Sequence, residues 1–261
     1  MPRPNALETL ARLGFAARGV MYAAIGYLVL SAGRTTDNGE AIGFVAGAGG
    51  RIVLAVLIAG LAGYGVWRLS EAAIDTEGNG TDAKGVAKRA GGAVSGVFHL
   101  LLAWGALSLL TGSGASGGDA AESGARTALA LPGGWIALLA AALVLVVVGL
   151  YQGIKAIKLG FLKHLEPEAA RRPWVAWVGR GGYLARGTVF LLTAWFTWQA
   201  GMHSRAAEAG STEQALDTLP ESIRIIVAAG FVLFGIFSLV EARYRRITDP
   251  NVLGRLQAAA R

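Results

Sequence analysis

Ten side chains set the chemical possibilities of this chain: Arg12, Arg18, Glu71, Arg89, Ser95, His99, Lys155, Arg180, Arg186 and Glu241. All lie inside or at the edge of long apolar stretches, where a charge must pair, snorkel or line water. Their spacing is periodic. Arg12-x-Gly14-x4-Gly19 returns as Arg89-x-Gly91-x4-Gly96 and as Arg180-x-Gly182-x4-Gly187, at offsets of 77 and 168. A second pattern, Gly65-x-Trp67-x3-Glu71-Ala72, returns as Gly149-x-Tyr151-x3-Lys155-Ala156 and Gly235-x-Phe237-x3-Glu241-Ala242. The outer copies carry Arg18 with Glu71 and Arg186 with Glu241, whereas the middle copy has Ser95 and Lys155. That joint change predicts that the two positions touch, as Arg18–Glu71 and Arg186–Glu241 ion pairs within a hairpin or between neighbours. Such pairs would clamp helix ends at one depth. The competing chemistry is a polar ring at the cytoplasmic mouth of an axial cavity, of the kind that selects ions, although Ser95 and Lys155 break its symmetry.

The remaining candidates reduce to structural roles. His99 would need an axial partner at its own depth to hold haem, and neither His164 nor His203 provides one. A hydrogen-bonded packing histidine is expected, with a proton-relay role as the alternative. The segment Asp75-Thr76-Glu77-Gly78-Asn79-Gly80 imitates the start of a calcium loop, but Val86 stands where a bidentate Glu is needed. Arg171-Arg172-Pro173-Trp174-Val175-Ala176-Trp177 reads as a surface anchor; Trp67 fits the same cytoplasmic belt, and Trp135 and Trp198 the opposite one. There is no P-loop, no H-E-x-x-H and no G-x-S-x-G elbow. No catalytic set, cofactor or metal site is expected.

The elements that must position these residues are membrane helices. The chain is 54% hydrophobic and only 16% charged, with mean hydropathy +0.49, too apolar for an ordinary soluble enzyme and for disorder. It has no cysteine, so disulfide frameworks and thiolate metal sites are absent. Charge-poor apolar stretches near 13–32, 52–72, 94–111, 134–156, 183–200 and 222–242 each approach the ~20 residues that span ~30 Å of hydrocarbon. The first could instead be a secretory signal, but its recurrence later in the chain argues against a cleaved peptide. From Gly19 to Ala32 a helix covers roughly 21 Å. Its helix must therefore extend back past Arg18, and the fifth back past Arg186. Unpaired, such an arginine costs about 1–3 kcal/mol.

Segments 1–18, 68–92, 152–186 and 243–261 hold 19 of the 24 Lys and Arg, while acidic residues divide almost evenly. By the positive-inside rule both termini are cytoplasmic. The formal charge of +7 is thus topology and contact with anionic headgroups, not a nucleic-acid patch. The low-complexity outer segment 112–123 is expected to be mobile.

The two repeated patterns make the chain an internal triplicate, with units at 1–73, 74–157 and 158–261. Gly14, Gly19, Gly65, Gly91, Gly96, Gly149, Gly182, Gly187 and Gly235 would let helix backbones approach closely. The patterns resemble the bacterial membrane family DUF1206, described as two-helix units in three copies with no known activity. The six spans and the repeats, all starting on the cytoplasmic side, predict an all-α, six-helix integral membrane bundle of three parallel hairpins with pseudo-threefold symmetry, and the resemblance implies a bacterial cytoplasmic membrane. A non-enzymatic bundle that is structural, partner-binding or lipid-interacting is the expected function, as a monomer, a homo-oligomer or a subunit beside another membrane protein. A small channel or transporter along the axis is the alternative.

Overall fold

In a stretch without polar side chains, a helix satisfies every backbone N–H and C=O from within, and the long apolar stretches all adopt it. The computed structural model describes residues 6–32, 38–75, 78–111, 120–210 and 212–246. The helices are α1 (Ala6–Ala32), α2 (Asn38–Ile74), α3 (Ala83–Thr111), α4 (Ala120–Leu129), α5 (Gly134–Lys158), α6 (Pro167–Ala170), α7 (Pro173–His203), α8 (Thr212–Asp217) and α9 (Glu221–Tyr244). Five of them, α1, α2, α3, α5 and α9, contain stretches long and apolar enough to cross a membrane. The expected fifth span lies in α7, 31 residues long and carrying Arg180 and Arg186 in its first half.

Helices α1 and α7 begin well before Arg18 and Arg186, as the length argument requires. Helix α2 starts earlier than expected and is broken at Gly50, whose φ of 68° is open to glycine but strained for other residues. The expected span 52–72 is the part after the break. Part of the low-complexity segment 112–123 lies outside the described residues. Its end folds into α4, which corrects the expectation of a plain loop there. The basic tail from 247 onward also lies outside the described residues.

Helix α1 packs against α2 and α9, α2 against α3, α7 against α9 and α5 against α7. The long helices therefore follow one another in chain order, and among the described residues α3 and α5 show no packing comparable to that of the other neighbours. Three crossings join successive sequence units, and each is a glycine facing a glycine. A Cβ on Gly19 would lie 2.9 Å from the Gly235 carbonyl oxygen, and one on Gly235 would lie 2.8 Å from that of Gly19. Gly65 and Gly96 meet in the same way at 2.9 Å each, and Gly149 and Gly187 at 3.1 and 3.0 Å. At the first two crossings a side chain would collide with backbone oxygen, and at the third it would be tightly confined, so these six glycines favour the observed register of neighbouring units.

Within the units the middle one differs from the other two. Gly14 lies on the Tyr64 backbone and Gly182 on that of Phe234, closing α1 on α2 and α7 on α9. Their counterpart Gly91 faces open space. The sequence carries the reason. Gly60 packs on Ala17, and Gly230 packs on Ala185. At the corresponding positions of the middle unit stand Val144 and Val94, 50% and 62% exposed. The middle unit thus has bulkier residues at the places where Gly and Ala bring the helices of the other units together.

Candidate functional site

The first arginine of each repeated pattern has a backbone role. Arg12 donates to the carbonyls of Ala242 (2.9 Å) and Arg243 (2.8 Å). Arg89 donates to those of Ala72 (2.8 Å) and Ala73 (3.0 Å), and Arg180 to that of Ala156 (3.3 Å). Ala72, Ala156 and Ala242 are the last residues of the second pattern. Each arginine thus satisfies carbonyls that the end of the preceding unit's second helix leaves open, where its charge also suits the negative end of the helix dipole. These three side chains belong to the frame, not to the polar cluster.

The cluster is assembled by the glycine crossings. The residue before the crossing glycine of one unit shares a register with the residue six positions past the crossing glycine of the preceding unit, and at the α1–α9 crossing the two form an ion pair. This matches Arg18 with Glu241, Ser95 with Glu71, and Arg186 with Lys155. The ion pairs expected from the sequence are therefore corrected. Arg18 pairs with Glu241, not Glu71. It also donates from Nη1 to the Tyr64 hydroxyl (2.8 Å) and from Nε to Ser238 Oγ (3.2 Å). Phe15, Tyr64 and Phe234 surround its guanidinium at 4.8 to 5.2 Å. Glu241, 1% exposed, takes a second cation, Arg245, one helical turn on. Both charges of the Arg18–Glu241 pair are buried, and every lone pair left unserved there would be expensive.

Glu71 is also 1% exposed, and Ser95 stands at the register position that Arg18 holds toward Glu241. It is served by Arg68 from its own helix (3.3 Å) and by the Asn79 amide (2.7 Å). A Cβ on Gly92 would lie 2.5 Å from its Oε2, so α3 closes directly over the carboxylate. His99 donates to the Ser95 carbonyl at 2.7 Å and lies 4.5 Å from the Tyr64 ring, as a packing histidine should.

Arg186 has no carboxylate partner among the described residues. Its guanidinium lies over Phe234 (4.5 Å), Tyr22 (5.1 Å) and Phe190 (5.2 Å), and its buried Nε makes no hydrogen bond. Lys155 likewise rests on the rings of Tyr151 (4.8 Å) and Tyr183 (5.5 Å). The interior layer therefore holds five cations, Arg18, Arg68, Lys155, Arg186 and Arg245, against the carboxylates Glu71 and Glu241.

Tyr64, Arg68, Ser238, Arg245 and Tyr183 join this layer without having been singled out in the sequence. A signal existed for two of them: Arg68 and Arg245 stand three before Glu71 and four after Glu241, the spacings that share a helix face. Trp67 is corrected from a surface anchor to a core residue, with no exposed area and packed on Phe15 and Tyr64. Trp135, Trp174, Trp177 and Trp198 are exposed, as anchors would be. In the calcium-like segment, Thr76 and Glu77 lie outside the described residues, and the Asp75 carboxylate accepts from the Asn79 (2.6 Å) and Gly80 (2.8 Å) amides. It closes the turn. At the far end of the molecule, His203 bonds Glu208 at 2.5 Å and holds that carboxyl below its ordinary range.

Comparison with known proteins adds the following. The family model described as Domain of Unknown Function (DUF1206) matches residues 13–75, 90–158 and 181–245. The chain is similar to the Uncharacterized protein YxxB of Bacillus subtilis (strain 168), with 27% identity over 256 residues that cover 93% of this chain and 92% of that protein. No solved structure matches it.

Proposed function

Taking as premise that the chain belongs to the DUF1206 family, we propose that it is a multi-pass protein of a bacterial cytoplasmic membrane that binds a lipid through its open side. In this reading α7 crosses beside the five apolar helices, both termini face the cytoplasm, and three units stand around a pseudo-threefold axis. The reading assigns no chemistry to the chain, because the polar layer offers pairing and hydrogen bonding without a nucleophile set against a base.

The observation that carries it is the gap between α3 and α5. A bundle acting only as a scaffold would gain packing energy by closing that seam, as α1 does on α2 and α7 on α9. Here the seam shows no such packing among the described residues, Val94 and Val144 stand exposed, and the interior beside it is rich in cations. An amphiphile entering sideways from the bilayer would keep its tails in hydrocarbon while its head reached that layer. The alternative, a conduction path along the axis, is less well supported. Beyond the polar layer the inner faces of α1, α2, α3, α7 and α9 bury Ile25, Leu57, Ala106, Val189 and Val227 in one apolar cluster.

Native mass spectrometry of protein released gently from membranes tests the proposal. One lipid per chain, retained under activation that strips loose adducts, is expected. A bare chain, or one with only scattered lipid adducts, would overturn it.

A further inference from the structure

We propose that Arg186 and Lys155 form a phosphate-binding site, filled by the headgroup of an anionic phospholipid that enters between α3 and α5. This inference rests on the lipid-binding reading above and names the chemistry of the ligand.

The argument comes from comparing the three crossings. At each, the same pair of positions is brought together by glycines that meet backbone to backbone. In one, arginine meets glutamate, and Arg18 and Glu241 form a buried pair. In the second, the arginine is Ser95, and Glu71 takes its cation from Arg68. In the third, Arg186 is kept and Lys155 stands in the carboxylate's place, so the register that pairs Arg18 with Glu241 here sets two cations opposite each other. Arg186 is furnished with aromatic rings and a buried Nε that makes no hydrogen bond, and Lys155 with two tyrosine rings. Rings soften the isolation of a cation but do not neutralise it. Among the described residues, neither side chain has a carboxylate within ion-pairing distance.

Bringing two like charges together in a half-buried layer is unfavourable unless an anion joins them. A phosphate supplies what is lacking: one or two negative charges, and oxygens enough for a guanidinium fork and an ammonium at once. Access has a matching cause. The middle unit supplies both sides of the gap, and it is also the unit whose inward positions are reduced. Gly92 stands where the other units carry Phe15 and Tyr183, and Ser95 where they carry Arg18 and Arg186. Lys155 itself lies on α5, one side of that gap.

The substitution that discriminates is K155E, which recreates the arginine–glutamate pair of the first crossing and is expected to fold. Full-length wild type and K155E are compared by thermal unfolding in neutral detergent. Phosphatidylglycerol, phosphatidylcholine or inorganic phosphate is added, and retained lipid is counted by native mass spectrometry. Phosphatidylglycerol should raise the wild-type Tm, and phosphatidylcholine should not, because a ligand stabilises the state it binds. K155E should have a Tm at least equal to that of wild type and bind phosphatidylglycerol at least tenfold more weakly. R186Q should lose the response without gaining a new pair. Equal shifts from both lipids, or an unchanged response in K155E, would overturn the phosphate site. A stoichiometric lipid retained in that case would leave the broader lipid-binding reading standing. Loss of all lipid retention would remove both. Inorganic phosphate alone reproducing the shift would support the Arg186–Lys155 anion site and overturn the lipid as its source.

Discussion

The energetic centre of the molecule at the scale of residues is Glu241. It is 1% exposed and receives both Arg18 and Arg245. Removing one member of a buried ion pair leaves an uncompensated charge, and the usual loss is about 3–5 kcal/mol. Glu241→Gln keeps the shape and removes the charge, leaving two buried arginines without their shared carboxylate. It should lower the unfolding midpoint in detergent by an amount corresponding to about 3 kcal/mol. A midpoint equal to that of wild type would show that the pair does not hold the layer together. The residues that change most between units, Ser95 and Lys155, do not touch each other's counterparts as the sequence implied. A substitution pattern across three copies reports that positions vary together, and it does not report which copy supplies the partner. Both changes belong to one unit, but the crossings put each in register with a different neighbour: Ser95 with Glu71, Lys155 with Arg186.

Among elements, the controlling variable is the distance at which helices cross. Gly19 and Gly235 meet with carbonyl oxygens within 2.9 Å of where a side chain would begin, and the Ala23 backbone nitrogen is 2.8 Å from the position of a Cβ on Gly235. These atoms are backbone and cannot swing away. Gly235→Val should therefore push α9 off α1 and destabilise by about 1–3 kcal/mol, the usual penalty for overpacking a filled contact. Gly91→Ala is the control from the same repeated pattern. Its side chain enters open space, so the better helix former should leave stability unchanged or raise it by roughly 0.5–1 kcal/mol. Unfolding curves of the two variants check both expectations. Equal losses would mean that the middle unit closes as the others do. The arginine of the same pattern keeps its partner in all three units because a helix end presents open carbonyls whatever its side chains are. That explains why Arg12, Arg89 and Arg180 recur while the residues inside the layer do not.

For the whole molecule the test is topology, and the absence of cysteine makes it direct. Single cysteines at Lys84 and Lys163 should react with an impermeant thiol reagent only from the cytoplasmic side. Cysteines at Leu131 and Arg205, both exposed, should react only from the other side. Lys163 and Arg205 labelling from the same side would mean that α7 does not cross. Helicity, the extension of α1 and α7 past their arginines, the family and the two repeated patterns were all legible in the chain. Each follows from local composition: apolar residues leave a backbone in lipid no choice but a helix, and a repeated gene segment repeats its letters. The break at Gly50, the burial of Trp67 and the partners of Arg18 and Glu241 were not legible. They depend on which unit lies against which, and a threefold repeat offers every side chain more than one chemically equivalent partner. Only the crossing of glycine on glycine, between units and not within them, chooses among those partners. The opening between α3 and α5 was decided in the same way. Val94 and Val144 are ordinary apolar residues in the sequence, and only the packed units, which have Gly and Ala at those places, show that such a place can be a helix crossing.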